Sequence, residues 1–307
     1  MLTNQINMAE QLWFWVLGWF LSILTMTGNG YIVLLVSSKR QLRTKTNAFI
    51  VSLAVADFCV GLSVIPSLFL CEVTRSCKRP QTPCFLWAQI LRWIFSDVSI
   101  TNLCSLVVDR YIAIVRPLKY VTFMTRRRVT EMILFSWMFA IIFVLIESSL
   151  LLSFETPLVS KLFTCLVTIF FHLLPCLMQI FCFASMVRIL YKHKRASRSL
   201  ARQLHFNHRV LFKPHEKSAV VMMTIVVGLF IICYVMYMRC GFAIIFYDRA
   251  SCNDSTYKIP VLVLNSAVNP LAYAFFKRDI KRELIKKLTC RWIFLKSHKV
   301  NSIQQRG

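Results

Sequence analysis

Residues 47–71 read NAFIVSLAVADFCVGLSVIPSLFLC, and one of these 25 residues, Asp57, carries a charge. Crossing the hydrocarbon core of a bilayer as a helix takes roughly 20 apolar residues, so the stretch is long enough to span. A carboxylate at that depth is expensive and marks function, because lipid offers it neither water nor counter-charge. Working outward, comparable apolar stretches recur at about 12–37, 85–112, 130–153, 160–190, 217–247 and 257–276, separated by polar connections. Seven spans predict an all-α membrane protein, a seven-transmembrane helix bundle with a short amphipathic eighth helix. The chain then divides into an extracellular N-terminus over 1–11, a seven-transmembrane domain over 12–276, and a cytoplasmic amphipathic helix and tail over 277–307.

Composition excludes a soluble domain. Hydrophobic residues make up 57% of the chain, mean hydropathy is +0.60, and 16% of residues are charged, against about 25% in average proteins. No internal repeat is visible. The first eleven residues carry no basic cluster and no small-residue cleavage site, so the first span reads as an uncleaved signal anchor.

A net charge of +24 would suit nucleic acid, but its distribution points elsewhere. Lys39, Arg40, Arg43 and Lys45 fill one connection, Arg116, Lys119, Arg126, Arg127 and Arg128 another, and the stretch from Lys192 to Lys217 and the tail after Lys277 carry most of the rest. The alternate connections hold few basic residues. This asymmetry places the N-terminus outside and the C-terminus in the cytoplasm. It implies membrane lipid as a partner, at about 1 kcal/mol per basic residue near an anionic surface, and no nucleic acid.

After Tyr273, the residues Phe275, Phe276, Ile280, Leu284, Ile285 and Leu288 recur at helical spacing between Lys and Arg, as in a helix lying on the interface. Cys290 follows and is open to palmitoylation or to remaining a plain thiol. Asn253-Asp254-Ser255 is a glycosylation sequon on an outer connection. Ser197 and Ser199 lie in basic surroundings where phosphate would change the local charge. Six of the 12 cysteines fall toward the oxidising exterior, and six cysteines allow fifteen pairings.

The polar residues within the spans keep a definite order. Gly28-Asn29 stands in the first span, Leu53-Ala54-Val55-Ala56-Asp57 in the second, and Asp109-Arg110-Tyr111 ends the third ahead of Pro117. Trp137 lies in the fourth, Pro175 in the fifth, and Asn269-Pro270-Leu271-Ala272-Tyr273 in the seventh. In this order they resemble the rhodopsin-like (class A) G-protein-coupled receptors across residues 12–290, nearest in pattern to the biogenic-amine and adenosine group. The resemblance implies a plasma-membrane receptor, not an enzyme. It would bind an extracellular small molecule and activate a heterotrimeric G protein by cytoplasmic opening of the sixth helix.

The residues carry their own chemistry beside the resemblance. Asp57 has Ser99, Asn265, Ser266, Asn269 and Asn29 as oxygen-bearing candidates around it. The resemblance implies a sodium ion held at Asp57 as an allosteric ligand and no other cofactor; a protonated, hydrogen-bonded Asp57 is the alternative. Asp109, Arg110, Tyr111 and Tyr273 form the implied G-protein switch, with Glu216 as the acid that holds Arg110 in the inactive state. An exposed pair of small worth is the other reading of Arg110 and Glu216. The resemblance also implies a Cys84–Cys165 disulfide with a very short second outer loop, and Cys77 competes as partner.

Departures from the pattern limit the ligand. Tyr234 replaces the usual sixth-helix tryptophan and Met236 the proline, which predicts a straighter sixth helix. Phe183 stands where the fifth helix usually has tyrosine. Arg92 stands eighteen residues before Arg110, where amine receptors carry aspartate, and Val263 stands where an opsin needs lysine. Arg92, Arg239 and Tyr234 are therefore the pocket candidates, and two arginines favour a ligand with an anionic group. The arginines could instead reach the headgroups or pair with Glu147 or Asp248. Two other readings remain. An ion-coupled transporter would carry intramembrane acids too, although no inverted repeat or broken helix is visible. A receptor-like protein with constitutive or no signalling would fit Tyr234 and Met236. An enzyme finds no nucleophile paired with a base, and His172 stands alone in its span.

Overall fold

The computed structural model describes residues 2–74, 83–153, 156–203, 214–247, 255–287 and 289. Helix α1 runs Leu2–Ser38 and, through a 3-10 turn at Arg40–Leu42, leads to α2 at Lys45–Thr74. Helix α3 spans Pro83–Val115, a short α4 follows at Pro117–Phe123, and α5 covers Arg126–Ser153. The fifth span is composite: α6 at Pro157–Val167 passes through a π-helical turn at Thr168–Leu173 into α7 at Leu174–Gln203. Helices α8 at Pro214–Tyr247 and α9 at Ser255–Phe276 complete the bundle, and α10 lies over 278–287. Six spans among the described residues are long and apolar enough to cross a membrane, and α8 adds an apolar stretch at Val220–Met236. The protein is a seven-helix membrane bundle.

Local chemistry sets the breaks. Pro117 occupies the first turn of α4, where its missing N–H would have had no partner anyway. Pro157 does the same in α6, and the Thr156 hydroxyl caps that helix by accepting from the Val159 N–H at 3.4 Å. Pro175 cannot donate to the carbonyl four residues back, and the π-turn just before it takes up the disrupted ladder. Helix α8 has no interior proline and runs unbroken from Pro214 to Tyr247, as its sequence predicts.

Helix α3 sits centrally, packed on α2, α5 and α7, while α1 lies against α2 and α9, and α8 bridges α7 and α9. Small residues permit the closest approaches, as expected where lipid gives helices no hydrophobic drive to associate. Ser22 Oγ donates to the Gly61 carbonyl, and a Cβ on Gly28 would come within 2.8 Å of the Pro270 ring. Large apolar side chains such as Leu62, Phe135 and Phe181 are exposed on the outer surface, the side that faces lipid.

The implied disulfide is not formed as expected. Only residues 154–156 separate α5 from α6, so the outer connection is as short as predicted. That shortness draws Cys165 into α6 itself, eight residues beyond Pro157, and it is a free thiol there. A cysteine wound into a membrane helix cannot reach across the end of the bundle as one on a loop would. Among the described residues Cys71, near the C-terminal end of α2, is disulfide-bonded instead. The side chain of Cys84, and Cys77, Asn253 and Cys290, lie outside the described residues.

Candidate functional site

Two polar assemblies lie one beneath the other within the bundle. In the upper one Asp57 is fully buried on α2. Ser99 Oγ of α3 donates to its Oδ1 at 2.5 Å, and Asn269 Nδ2 of α9 donates to its Oδ2 at 2.8 Å. Asn29 Nδ2 donates to the Ser266 carbonyl at 3.2 Å and to the Thr25 carbonyl at 2.9 Å, and its buried Oδ1 has no hydrogen-bond partner. Ser266 is buried within hydrogen-bonding reach of Asp57, and Asn265 is buried on α9 one turn from Asn269. Ser99, Ser266 and Asn269 of the predicted set therefore converge on Asp57, with Asn29 bonded to the Ser266 backbone. A separate chain lies between α2, α3 and α5: Trp137 Nε1 donates to Ser52 Oγ at 3.0 Å, and Ser52 donates in turn to Asn102 Oδ1 at 2.6 Å. Each polar group in this interior is desolvated, so an unmade bond costs about 1–3 kcal/mol and the satisfied ones fix helix positions.

The lower assembly surrounds Asp109, which is fully buried near the C-terminal end of α3. Its carboxylate accepts from Arg110 Nη2 at 2.6 Å, Arg110 Nε at 3.0 Å, Thr46 Oγ1 at 3.0 Å and Tyr120 Oη at 3.0 Å. Arg110 Nη2 also donates to Thr46 Oγ1. The arginine is thus folded back onto its own helix and fastened to α2, with 17% of its side chain exposed. Burial first, and the Asp109 carboxylate second, raise the Tyr120 phenol above its ordinary range, so it stays a donor. The Glu216 side chain lies outside the described residues. Tyr111 packs its ring 6.0 Å from that of Phe181. Tyr273 is fully buried, its hydroxyl has no hydrogen-bond partner, and it lies within electrostatic reach of Asp57. It therefore stands between the two assemblies.

The family profile described as "7 transmembrane receptor (rhodopsin family)" matches residues 28–273, which reach from Gly28 to Tyr273 and include both assemblies. The chain belongs to that family. The octopamine receptor beta-2R of Chilo suppressalis is 26% identical, over 87% of this chain and 77% of that protein. The histamine H2 receptor of Cavia porcellus is 28% identical, over 92% and 80% respectively. The octopamine receptor beta-2R of Drosophila melanogaster is 28% identical over 91% of this chain, which spans 62% of that protein. The protein is thus a multi-pass receptor and not an enzyme.

The end of the receptor bundle around Asp109 holds residues that the sequence did not single out. Asn47 Nδ2 donates to the Leu42 carbonyl at 2.6 Å and to Asp279 Oδ2 at 3.1 Å, and its Oδ1 accepts from Lys277 Nζ. Burial lowers the Lys277 ammonium to about 8, against the opposing pull of Asp279 at 3.8 Å. These bonds tie α10 to α2. Ile280 of α10 is buried, and Leu284 half-buried, while Ile285 is exposed, so the predicted amphipathic helix docks by one edge.

At the opposite end of the bundle from Asp109 the candidates separate. Tyr234 is buried, stacked on Phe230 at 4.3 Å and tilted against His172 at 5.4 Å. Arg92 is half-buried on α3, whereas Arg239 is exposed on α8. Two acids share this half of the bundle: Asp97, which the sequence reading passed over, and Glu147, which it named only as a possible arginine partner. Asp97 is 4% exposed on α3, and Glu147 is half-buried on α5. Each is a charged residue inside an otherwise apolar span, the same signal that singled out Asp57.

Proposed function

We propose that the receptor sits in the plasma membrane with its N-terminus outside, takes an extracellular small molecule into the outer half of the bundle, and activates a heterotrimeric G protein. The observation that carries this reading is the Asp109–Arg110–Thr46–Tyr120 cluster. A buried carboxylate gathers donors from three helices around one arginine, and such an arrangement has two discrete states, fastened and released. In the fastened state Arg110 is folded against α2. Release would turn its guanidinium toward the cytoplasmic opening between α3 and α8, where a partner's backbone carbonyls could accept from it. Movement of α8 is the coupled step, and Tyr234, stacked on Phe230, is the side chain of α8 placed to sense a ligand.

The residues around Asp57 fit a sodium ion: they offer a carboxylate, the Ser99 and Ser266 hydroxyls and the orphaned Asn29 Oδ1, all oxygens suited to a hard cation. Bound there, the ion would supply the counter-charge that a buried carboxylate lacks. Ser99 and Asn269 hold that carboxylate between α2, α3 and α9, and so favour the closed bundle.

The relatives named for octopamine and histamine support a small organic ligand. An anionic group on it rests on Arg92 alone, because Arg239 is exposed. The test is nucleotide exchange on purified heterotrimeric G protein, with the receptor in lipid nanodiscs and octopamine and histamine as first probes. Faster exchange with wild type that is lost in Arg110→Ala is the expected result. Exchange indifferent to the receptor, both basally and with every probe, would overturn the reading.

A further inference from the structure

Two grooves flank α5 at the end of the bundle that holds Asp109. Arg126, Arg127 and Arg128 open that helix, and successive residues of a helix point about 100° apart. Arg126 therefore lines one groove and Arg128 the other. The groove toward α7 has a volume of about 700 Å³, and its charged groups are already engaged. Arg128 Nη1 donates to the Phe123 carbonyl at 3.1 Å, with its guanidinium 4.2 Å from the centre of the Phe123 ring. Glu131 accepts from Arg127 Nε at 2.8 Å.

The second groove, lined from α1, α2 and α5, has a volume of about 540 Å³ and a different charge. Arg43, Lys45 and Arg126 line it, and no described acid does. Among the described residues the acids at this end are each held by another cation: Asp109 by Arg110, Glu131 by Arg127, Asp279 by Lys277 and Glu283 by Lys286. The groove's cations are placed by the backbone around them. Arg43 Nη2 donates to the Ser37 carbonyl at 2.6 Å, which fastens it to the end of α1. Thr44 Oγ1 accepts from the Asn47 N–H at 3.2 Å, and Asn47 Nδ2 donates back to the Leu42 carbonyl at 2.6 Å, so the link is tied on both sides of Arg43. Lys45 and Arg126 are the first residues of α2 and α5, and the positive ends of both helices add to the same potential.

The same two residues begin membrane spans, so the cations stand at headgroup depth. Beneath them the lining passes to Val36, Ala48 and Val51 and reaches Ser52, about 12 Å along α2 from Thr44. A groove charged at its rim and apolar below matches an amphiphile with an anionic head, and basic pockets between membrane helices hold phosphorylated lipid heads in this way. A free phosphate would gain nothing from the apolar wall. The number of cations selects further. A phosphodiester carries one negative charge and a phosphomonoester about 1.5 to 2 at neutral pH. A head with one of each approaches the three positive charges opposite, whereas a phosphodiester alone leaves about two of them uncompensated.

We propose that the groove between α1, α2 and α5 binds a phospholipid whose head carries a phosphomonoester, held by Arg43, Lys45 and Arg126, with its chain against Val36, Ala48 and Val51. The site goes beyond the receptor reading and needs neither its small-molecule ligand nor its G protein. The two guanidinium groups can take phosphate oxygens in pairs, Lys45 adds a point charge, and the Thr44 hydroxyl keeps its hydrogen to donate.

The test measures lipid binding to the purified full-length receptor by native mass spectrometry, with phosphatidylinositol 4-phosphate as the probe. Phosphatidylinositol, which lacks only the monoester, and phosphatidylcholine are the controls. The probe should bind wild type roughly 10-fold tighter than phosphatidylinositol, and phosphatidylcholine weakest of all. Replacing Arg43, Lys45 and Arg126 together by Gln should weaken the probe roughly 100-fold, about five-fold per residue. Arg126→Gln alone, at an exposed position, should give the single-residue loss even if the triple variant folds poorly. A second triple variant, with Lys119, Arg127 and Arg128 replaced by Gln, removes the same charge from the same end outside the groove and should bind as wild type does. Ala48→Leu fills the apolar wall and should weaken the lipid while leaving soluble inositol 1,4-bisphosphate unaffected. Equal losses in the two triple variants would mean attraction by net charge alone and overturn the site, as would undiminished binding in Arg126→Gln. Inositol 1,4-bisphosphate binding as tightly as the lipid, with Ala48→Leu indifferent to both, would overturn the lipid as occupant.

Discussion

Asp109 gathers three side chains from three helices, α2, α3 and α4, and the strength of each bond sets how readily Arg110 is released. Thr46→Val and Tyr120→Phe each remove one hydroxyl donor with little change of shape. At about 0.5–1.5 kcal/mol per bond, basal G-protein exchange should rise roughly 2–10-fold in either variant, measured at matched surface expression. Arg110→Ala should instead abolish exchange, and equal losses in all three would show that the hydroxyls serve the partner contact. Asp57→Asn keeps the size of the side chain and removes its charge, so the sodium dependence of basal exchange should vanish while the protein still reaches the membrane. Lys277 gives a pH signature of its own. Burial holds it at about 8 in the folded protein, below its ordinary value of 10.5. The folded state thus binds fewer protons than the unfolded one across that window. Stability should climb as pH rises from 8 toward 10.5, by at most about 1.4 kcal/mol per pH unit. Thermal unfolding of Lys277→Gln, which keeps a donor for Asn47, should show that rise removed.

Among the described helices, α1 meets α9 at a contact that leaves no room for a side chain. Gly28→Ala would push a methyl group to 2.8 Å from a rigid proline ring, and overpacking of this kind costs about 1–3 kcal/mol. A lowered unfolding temperature is expected, whereas Gly228→Ala, with nothing within 4 Å of the new atom, should leave it unchanged or raise it. How far these elements could be read from sequence depended on the range of the interaction that makes them. The spans were legible because bilayer thickness imposes a length, and Asp57 because a charge in such a length stands out. The π-turn was not, since Pro175 announces a disturbed helix without choosing its form. Nor was the hold of Thr46 on Arg110, which joins residues 64 positions apart through the crossing of α2 and α3. Cys165 misled for the opposite reason: its spacing from Pro175 was read correctly as a short loop, but the helix had already begun before it.

At the scale of the molecule, the basic residues and the buried acids divide the protein by depth. Arginine and lysine crowd the connections assigned to the cytoplasm, while Asp57, Asp97 and Asp109 descend through the interior of α2 and α3. If that polarity sets orientation, an epitope tag before Leu12 should bind antibody on intact cells and one after Gln305 only after permeabilisation; the reverse labelling would invert the bundle.

The connection between α5 and α6 is three residues long, 154–156, and three residues of extended chain reach about 10 Å. No segment there can fold across the mouth of the bundle as a lid. A ligand therefore meets no gate from this quarter on its way in and none on its way out. On this side the residence time of a bound ligand would be set by the contacts it makes below the rim and not by a covering loop.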